Sequence, residues 1–120
     1  MATPPFEVVL DCIDPQLSET FWRAALGYRS LVSLEEIVVL VPDEHGSSPV
    51  ILQRVPEAKS VKNRMHLDLV REDIEGEASR LVELGARRLH DGVRQRGPVR
   101  WITMLDPVGN EFCISTGVDW

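Results

Sequence analysis

Phe6-Glu7-Val8-Val9-Leu10 and Met65-His66-Leu67-Asp68-Leu69 read as two openings of one unit. Further on, Asp14 falls on Asp73, and each starts a helical stretch that ends in Leu-Gly, at Leu26-Gly27 and Leu84-Gly85. Val50-Ile51-Leu52-Gln53-Arg54 then falls on Asn110-Glu111-Phe112-Cys113-Ile114. The offset stays between 58 and 60 residues, half of the 120-residue chain. Self-similarity at a fixed period means one supersecondary unit used twice, neither copy able to cover its apolar face alone. Two such copies facing each other would enclose a central cleft, the place where small molecules bind.

Within the first copy, Glu7–Ile13 alternates and is rich in β-branched residues, which predicts a strand. Asp14-Pro15 is a helix start, an N-cap followed by Pro where a missing N–H costs nothing. Leu17, Phe21, Ala24 and Ala25 recur at helical spacing and Gly27 supplies the stop. Strands are expected at about Tyr28–Ser33, Glu36–Val41 and Pro49–Val55, with turn residues such as His45-Gly46-Ser47-Ser48 between them. Pro56–Asn63 is polar, without apolar periodicity, and reads as the linker.

The second copy opens with a strand at Arg64–Val70. A helix at about Glu72–Leu84 follows, with Ile74, Ala78, Leu81 and Val82 on its buried face. Gly76 inside that helix is expected to weaken it by about 1 kcal/mol relative to alanine. Strands at about Arg87–Asp91, Val99–Leu105 and Glu111–Ser115 complete the copy. The expected fold is α+β. Two tandem βαβββ modules, at about 6–55 and 64–116 and joined by the linker 56–63, form a curved mixed sheet around the cleft of a single domain spanning 1–120.

The totals narrow the function. One domain of this length can bury a core without staples. A net charge of −6 with no basic stripe argues against nucleic acid. No apolar run approaches the ~18 residues of a membrane span, and no signal segment opens the chain, where Ala2–Pro5 reads as a short frayed tail. Cys12 and Cys113 are too few for a disulfide framework and lack metal-finger spacing, which points to a reduced, cytoplasmic protein. No phosphate loop, nucleophile elbow or HExxH is present, and Asp43-Glu44-His45-Gly46 is a hairpin turn without the alternating oxygens of a calcium loop.

Strand parity then selects candidate site residues. Val8, Leu10 and Cys12 form one core row, Met65, Leu67 and Leu69 another, and Phe112 with Ile114 a third. The opposite face carries Glu7, Asp11, His66, Asp68, Glu111 and Cys113. His66, beside Asp68, is the candidate general base or hydrogen-bond donor to a ligand. Trp101, in step with Thr103, could stack on a flat ligand or pack at the edge of the core. Glu7, Asp11, Asp68 and Glu111 on one face favour a neutral or cationic ligand over an anion. Trp22 beside Phe21 belongs to the core or a subunit interface. His90 reads as a surface strand residue and His45 as a turn residue, neither with a role.

Three segments carry a family likeness: Asp14-Pro15 leading to Phe21-Trp22 and Ala25-Leu26-Gly27, then Lys62-Asn63-Arg64-Met65-His66-Leu67-Asp68-Leu69, then Asp106-Pro107-Val108-Gly109-Asn110-Glu111-Phe112-Cys113. In this order and spacing the chain resembles the vicinal oxygen chelate superfamily, the glyoxalase, extradiol dioxygenase and bleomycin-resistance group, and within it the glyoxalase-like domains. The resemblance implies a homodimer. In metal-dependent members it implies four ligands, from the first and last strands of each copy. The matching positions here are Glu7 and His66, Cys113, and Gln53 as the repeat counterpart of Cys113. Cys113 stands where the family prefers Glu, and Gln53 is a neutral, weak ligand. The expectation is therefore a small-molecule binding protein that needs no metal cofactor, with Glu7, Asp11, Gln53, His66, Asp68, Trp101, Glu111 and Cys113 around the ligand. The second hypothesis is a metal-dependent lyase, isomerase or dioxygenase, with zinc, nickel, iron or manganese held by Glu7, Gln53, His66 and Cys113. A purely structural or partner-binding domain is the third, and it predicts no enclosed apolar pocket.

Overall fold

Strand β1 (Val8–Cys12) alternates, its even-numbered Val8, Leu10 and Cys12 turning inward and Val9 and Asp11 outward. A computed structural model describes residues 6–44 and 46–118 of the chain. The expected Ala2–Pro5 tail and the turn residue His45 lie outside the described residues. Helix α1 (Pro15–Leu26) follows, capped as its sequence dictates. Asp14 Oδ1 accepts the Leu17 N–H at 3.2 Å, and Gly27 closes the helix at φ +71°. Pro15, Ser18, Phe21, Trp22 and Ala25 are its buried stripe. Leu17 and Ala24, expected on that stripe, are exposed, because the stripe runs through Ser18 and Trp22 instead. Phe21 and Trp22 meet edge to face with ring centroids 5.1 Å apart.

Strands β2 (Arg29–Ser33), β3 (Ile37–Val41) and β4 (Val50–Arg54) complete the first module. The strand order is β1-β4-β3-β2, with β1 parallel to β4 and the other pairs antiparallel. Helix α1 packs on β2, β3 and β4, burying Val38, Leu40, Val50 and Leu52 beneath it.

The second module repeats the plan with β5 (Asp68–Val70), α2 (Ile74–Glu83), β6 (Arg87–Arg88), β7 (Arg94–Arg96), β8 (Val99–Leu105) and β9 (Glu111–Ser115). Strand β5 runs parallel to β9, β9 pairs antiparallel with β8, and both β6 and β7 pair antiparallel with β8. Helix α2 packs on β6, β8 and β9, over Leu69, Ile102, Met104, Phe112 and Ile114. The chain divides into two compact units between Lys59 and Ser60, each a βαβββ module whose mixed sheet is backed by one helix. No helix among the described residues is long and apolar enough to cross a membrane.

Several expectations need correction. The strand expected over Arg64–Val70 is regular only from Asp68. The Asn63 N–H instead donates to Glu111 Oε2 at 2.7 Å and Asn63 Nδ2 to the Met65 carbonyl at 3.4 Å, so the preceding residues are tied by side chains. Met65, expected in the core, is 81% exposed as a result. The strand expected over Arg87–Asp91 breaks after Arg88, and its continuation is β7, which Arg94-Gln95-Arg96 conceals by lacking any apolar residue. Gly97, at φ +58°, supplies the positive angle that the two-residue loop from β7 to β8 needs. Val82 is exposed, because α2 buries a narrow stripe of Ile74, Ala78 and Leu81. Gly76 is more than a weak spot: a Cβ there would strike the Asp73 carboxylate that caps the helix by accepting the Gly76 N–H at 3.0 Å.

Candidate functional site

Strand register in the second module assembles the site. Residues directly opposite each other in a ladder project to the same face. Thr103 stands opposite Cys113 and Cys113 opposite Asp68, giving one row across β8, β9 and β5. Arg94 stands opposite Trp101 and Trp101 opposite Ser115, giving a second row. Because Ile102, Met104, Phe112 and Ile114 face the helix, both rows occupy the other face. There they line a cavity of about 340 Å³, to which Lys62, His66 and Val99 also contribute.

His66 and Asp68 form the polar centre of this cavity, with Nδ1 of the imidazole 2.9 Å from a carboxylate oxygen. Cys113 lies against Thr103, Sγ to Oγ1 3.5 Å, and is only 6% exposed. Burial pushes the Cys113 thiol up, against the Thr103 hydroxyl, and the nearby Asp68 charge adds to the rise. Trp101 is half-buried and turns its indole to the same space. The cavity thus combines an imidazole–carboxylate pair, a thiol, a hydroxyl and an aromatic face.

One nitrogen of His66, one oxygen of Asp68 and the sulfur of Cys113 lie within 4.8 Å of one another. Imidazole, carboxylate and thiolate are donors that zinc accepts, and three protein donors leave a fourth position open, as catalytic zinc sites do. The donor set fits a divalent ion of that kind. Binding would have to expel the proton that burial holds on Cys113.

Of the expected site residues, His66, Asp68, Trp101 and Cys113 line this cavity. Glu111 shares a strand with Cys113 but is buried, its carboxylate taken by the Asn63 N–H. Glu7, Asp11 and Gln53 belong to the first module and are exposed. There Asp11 and Gln53 are ladder partners, Gln53 Nε2 donating to Asp11 Oδ1 at 3.5 Å. The sequence repeat matches Gln53 with Cys113, whereas the ladders match it with Ser115. Val70 pairs with Ser115 as Asp11 pairs with Gln53, and Asp68 pairs with Cys113 as Val9 pairs with Ile51. The two copies differ in length before their last strand, and a straight alignment slips there.

Lys62, Arg94, Val99, Thr103 and Ser115 are the lining residues that sequence reasoning did not single out. Parity with Trp101 and Cys113 carried the signal for Thr103 and Ser115, whereas Lys62 was hidden in the linker and Arg94 in an unrecognised strand. Their presence alters the electrostatics. Of the four carboxylates expected on this face only Asp68 lines the cavity, and it is joined by two cations. Two further depressions lie in the first module, beside Glu19, Arg23 and Tyr28 and beside Glu36, Arg54 and Pro56, and neither contains an imidazole or a thiol.

Residues 7–115 match the family described as glyoxalase-like domain. Among solved structures, a point mutant of FosX, the fosfomycin resistance protein of Listeria monocytogenes, complexed with Mn(II) and 1S,2S-dihydroxypropylphosphonic acid, is similar at a TM-score of 0.78 and 15% identity, over 98% of this chain and 93% of that one. A glyoxalase/bleomycin resistance protein/dioxygenase family enzyme from Burkholderia phytofirmans matches at 0.72 and 15%, over 91% and 94%. The bleomycin-binding protein of Streptomyces verticillus, complexed with copper(II)-bleomycin, matches at 0.66 and 14%, over 98% and 99%. At such identities the likeness is one of fold. Comparison with curated protein sequences finds no match. The match over nearly the whole chain, with the paired βαβββ modules, places the protein in the glyoxalase-like domain family of the vicinal oxygen chelate superfamily.

Proposed function

We propose that this glyoxalase-like protein binds a small organic molecule in the cavity of its second module, and that binding rather than metal-dependent chemistry is its role. The observation that carries the reading is the convergence of His66, Asp68, Trp101, Thr103 and Cys113 on one space of about 340 Å³. Small-molecule sites combine an apolar wall with a few converging polar groups in this way. A purely structural domain has no need of such a space. His66 would hydrogen-bond the ligand, held in orientation by Asp68. A homodimer in the cytoplasm belongs to the same reading. Leu31, Val32 and Leu34, exposed on and after the edge strand β2, support pairing with a second copy, and Cys12 and Cys113, not joined in a disulfide, support a reducing compartment.

The second reading is a metal-dependent lyase, isomerase or dioxygenase, favoured by the His66, Asp68 and Cys113 donor set. A divalent ion there would polarise substrate oxygens. Elemental mass spectrometry of tag-free protein, wild type and His66→Ala, separates the two. The binding reading expects no stoichiometric metal in either. About one zinc, nickel, iron or manganese ion per chain in the wild type, lost in the variant, would move the function to the second reading.

A further inference from the structure

We infer that the ligand of this cavity is a flat organic anion, an aromatic carboxylate of one or two rings, stacked on Trp101 and paired with Arg94 and Lys62. The inference rests on the reading of the cavity as a ligand site and names the class of ligand.

Register brings the aromatic face and one cation together. Arg94 on β7 is the direct ladder partner of Trp101 on β8, and both line the cavity. Opposed residues hold their Cβ atoms about 5 Å apart, so guanidinium and indole flank the same volume. Lys62 lines the same cavity, near enough that its charge acts on the Cys113 thiol. Neither Arg94 nor Lys62 has an ion-pair partner among the described residues. Three other cations of this module are engaged, Arg71 and Arg80 with Glu77 and Arg88 with Glu75. Among the described residues lining the cavity, only Asp68 stands against the two cations, and its carboxylate already faces His66 at 2.9 Å.

Each part of the ligand follows from a part of the wall. A half-buried indole favours a planar ring, in offset or edge contact. A free guanidinium offers a planar fork that matches a carboxylate with two parallel hydrogen bonds. A volume of about 340 Å³ lies at the small end of ligand sites, which limits the ligand to one or two rings. The chain as a whole carries −6, so an anion is drawn only where cations gather locally. This replaces the neutral or cationic ligand that the strand pattern alone suggests.

The test uses three probes of one shape and different charge on the full chain treated with EDTA: 2-naphthoate, 2-naphthalenemethanol and 2-naphthylmethylammonium. Calorimetric titration should show 2-naphthoate binding at least about tenfold tighter than the alcohol, with the ammonium weakest and the naphthoate affinity falling as salt rises. Arg94→Gln and Lys62→Gln, both at exposed positions, should each weaken naphthoate by about five- to twentyfold and leave the alcohol unchanged. Trp101→Leu should weaken both. If the alcohol or the ammonium binds as tightly as naphthoate, or Arg94→Gln leaves naphthoate unaffected, the anion inference is overturned while the cavity stands as a ligand site. Binding of none of the three overturns the flat-ring inference. Fragments of other shapes, followed by the amide shifts of Thr103 and Cys113, then decide the wider reading.

Discussion

Nε2 of His90 lies 3.1 Å from the backbone N–H of Thr103, so a side chain fills the place of a strand carbonyl on the outer edge of β8. The contact spans the gap where the edge strand breaks between β6 and β7. A backbone N–H can only donate, so Nε2 is the acceptor and the ring carries its proton on Nδ1, 3.2 Å from the Asp91 carbonyl. Thr103 is the residue whose hydroxyl meets Cys113, so His90 holds the strand that presents the cavity wall.

Replacing His90 by Ala should therefore destabilise the fold by about 1–3 kcal/mol, the cost of leaving a nearly buried N–H without an acceptor. Urea unfolding should show a lower midpoint at an unchanged m-value. A loss below about 0.5 kcal/mol would mean that the bond contributes little.

Gly76→Ala tests a different piece of local chemistry. An exposed helical glycine replaced by alanine ordinarily gains up to about 1 kcal/mol. Here the new Cβ would collide with the Asp73 carboxylate, and losing that N-cap costs about 1 kcal/mol. The expected outcome is no net gain, or a small loss, in thermal stability. In an Asp73→Ala background, where the cap is already absent, the same substitution should stabilise.

The buried Cys113 thiol gives a pH signature. Its folded value is raised, so the native state holds the proton more tightly than the unfolded chain. The stabilisation is complete below the unfolded thiol's pKa, ~8.5, and is lost as pH rises through the folded value. In EDTA-treated Cys12→Ala protein, the iodoacetamide reaction rate should rise with a midpoint above that of a free thiol. Adding Cys113→Ala should flatten the decline of stability at alkaline pH. A midpoint at or below the free-thiol value would contradict the assigned environment.

Much of this organisation was legible before the structure. The alternation in β1, β4, β8 and β9, the Asp14 and Asp73 caps and the Gly27 stop each follow from local rules, and they fix both modules. The site was legible where it rests on those strands, at Asp68, Trp101 and Cys113. It was illegible where tertiary contacts replace pattern. Arg94-Gln95-Arg96 becomes a strand only because β8 lies beside it. The segment before Asp68 is held by the buried Glu111 carboxylate, 48 residues away in sequence from Asn63. His90 had no pattern to declare it, since its role depends on a break in the strand it occupies.

The most direct test of the account is to map where small molecules land on the EDTA-treated chain. A fragment mixture titrated into ¹⁵N-labelled protein should give saturable shifts at the Trp101 indole N–H and at the Thr103 and Cys113 amides. The same shifts should be lost in Trp101→Leu. Shifts that avoid these three residues, or that arise only after a divalent metal is restored, would contradict a metal-free binding site in the second module.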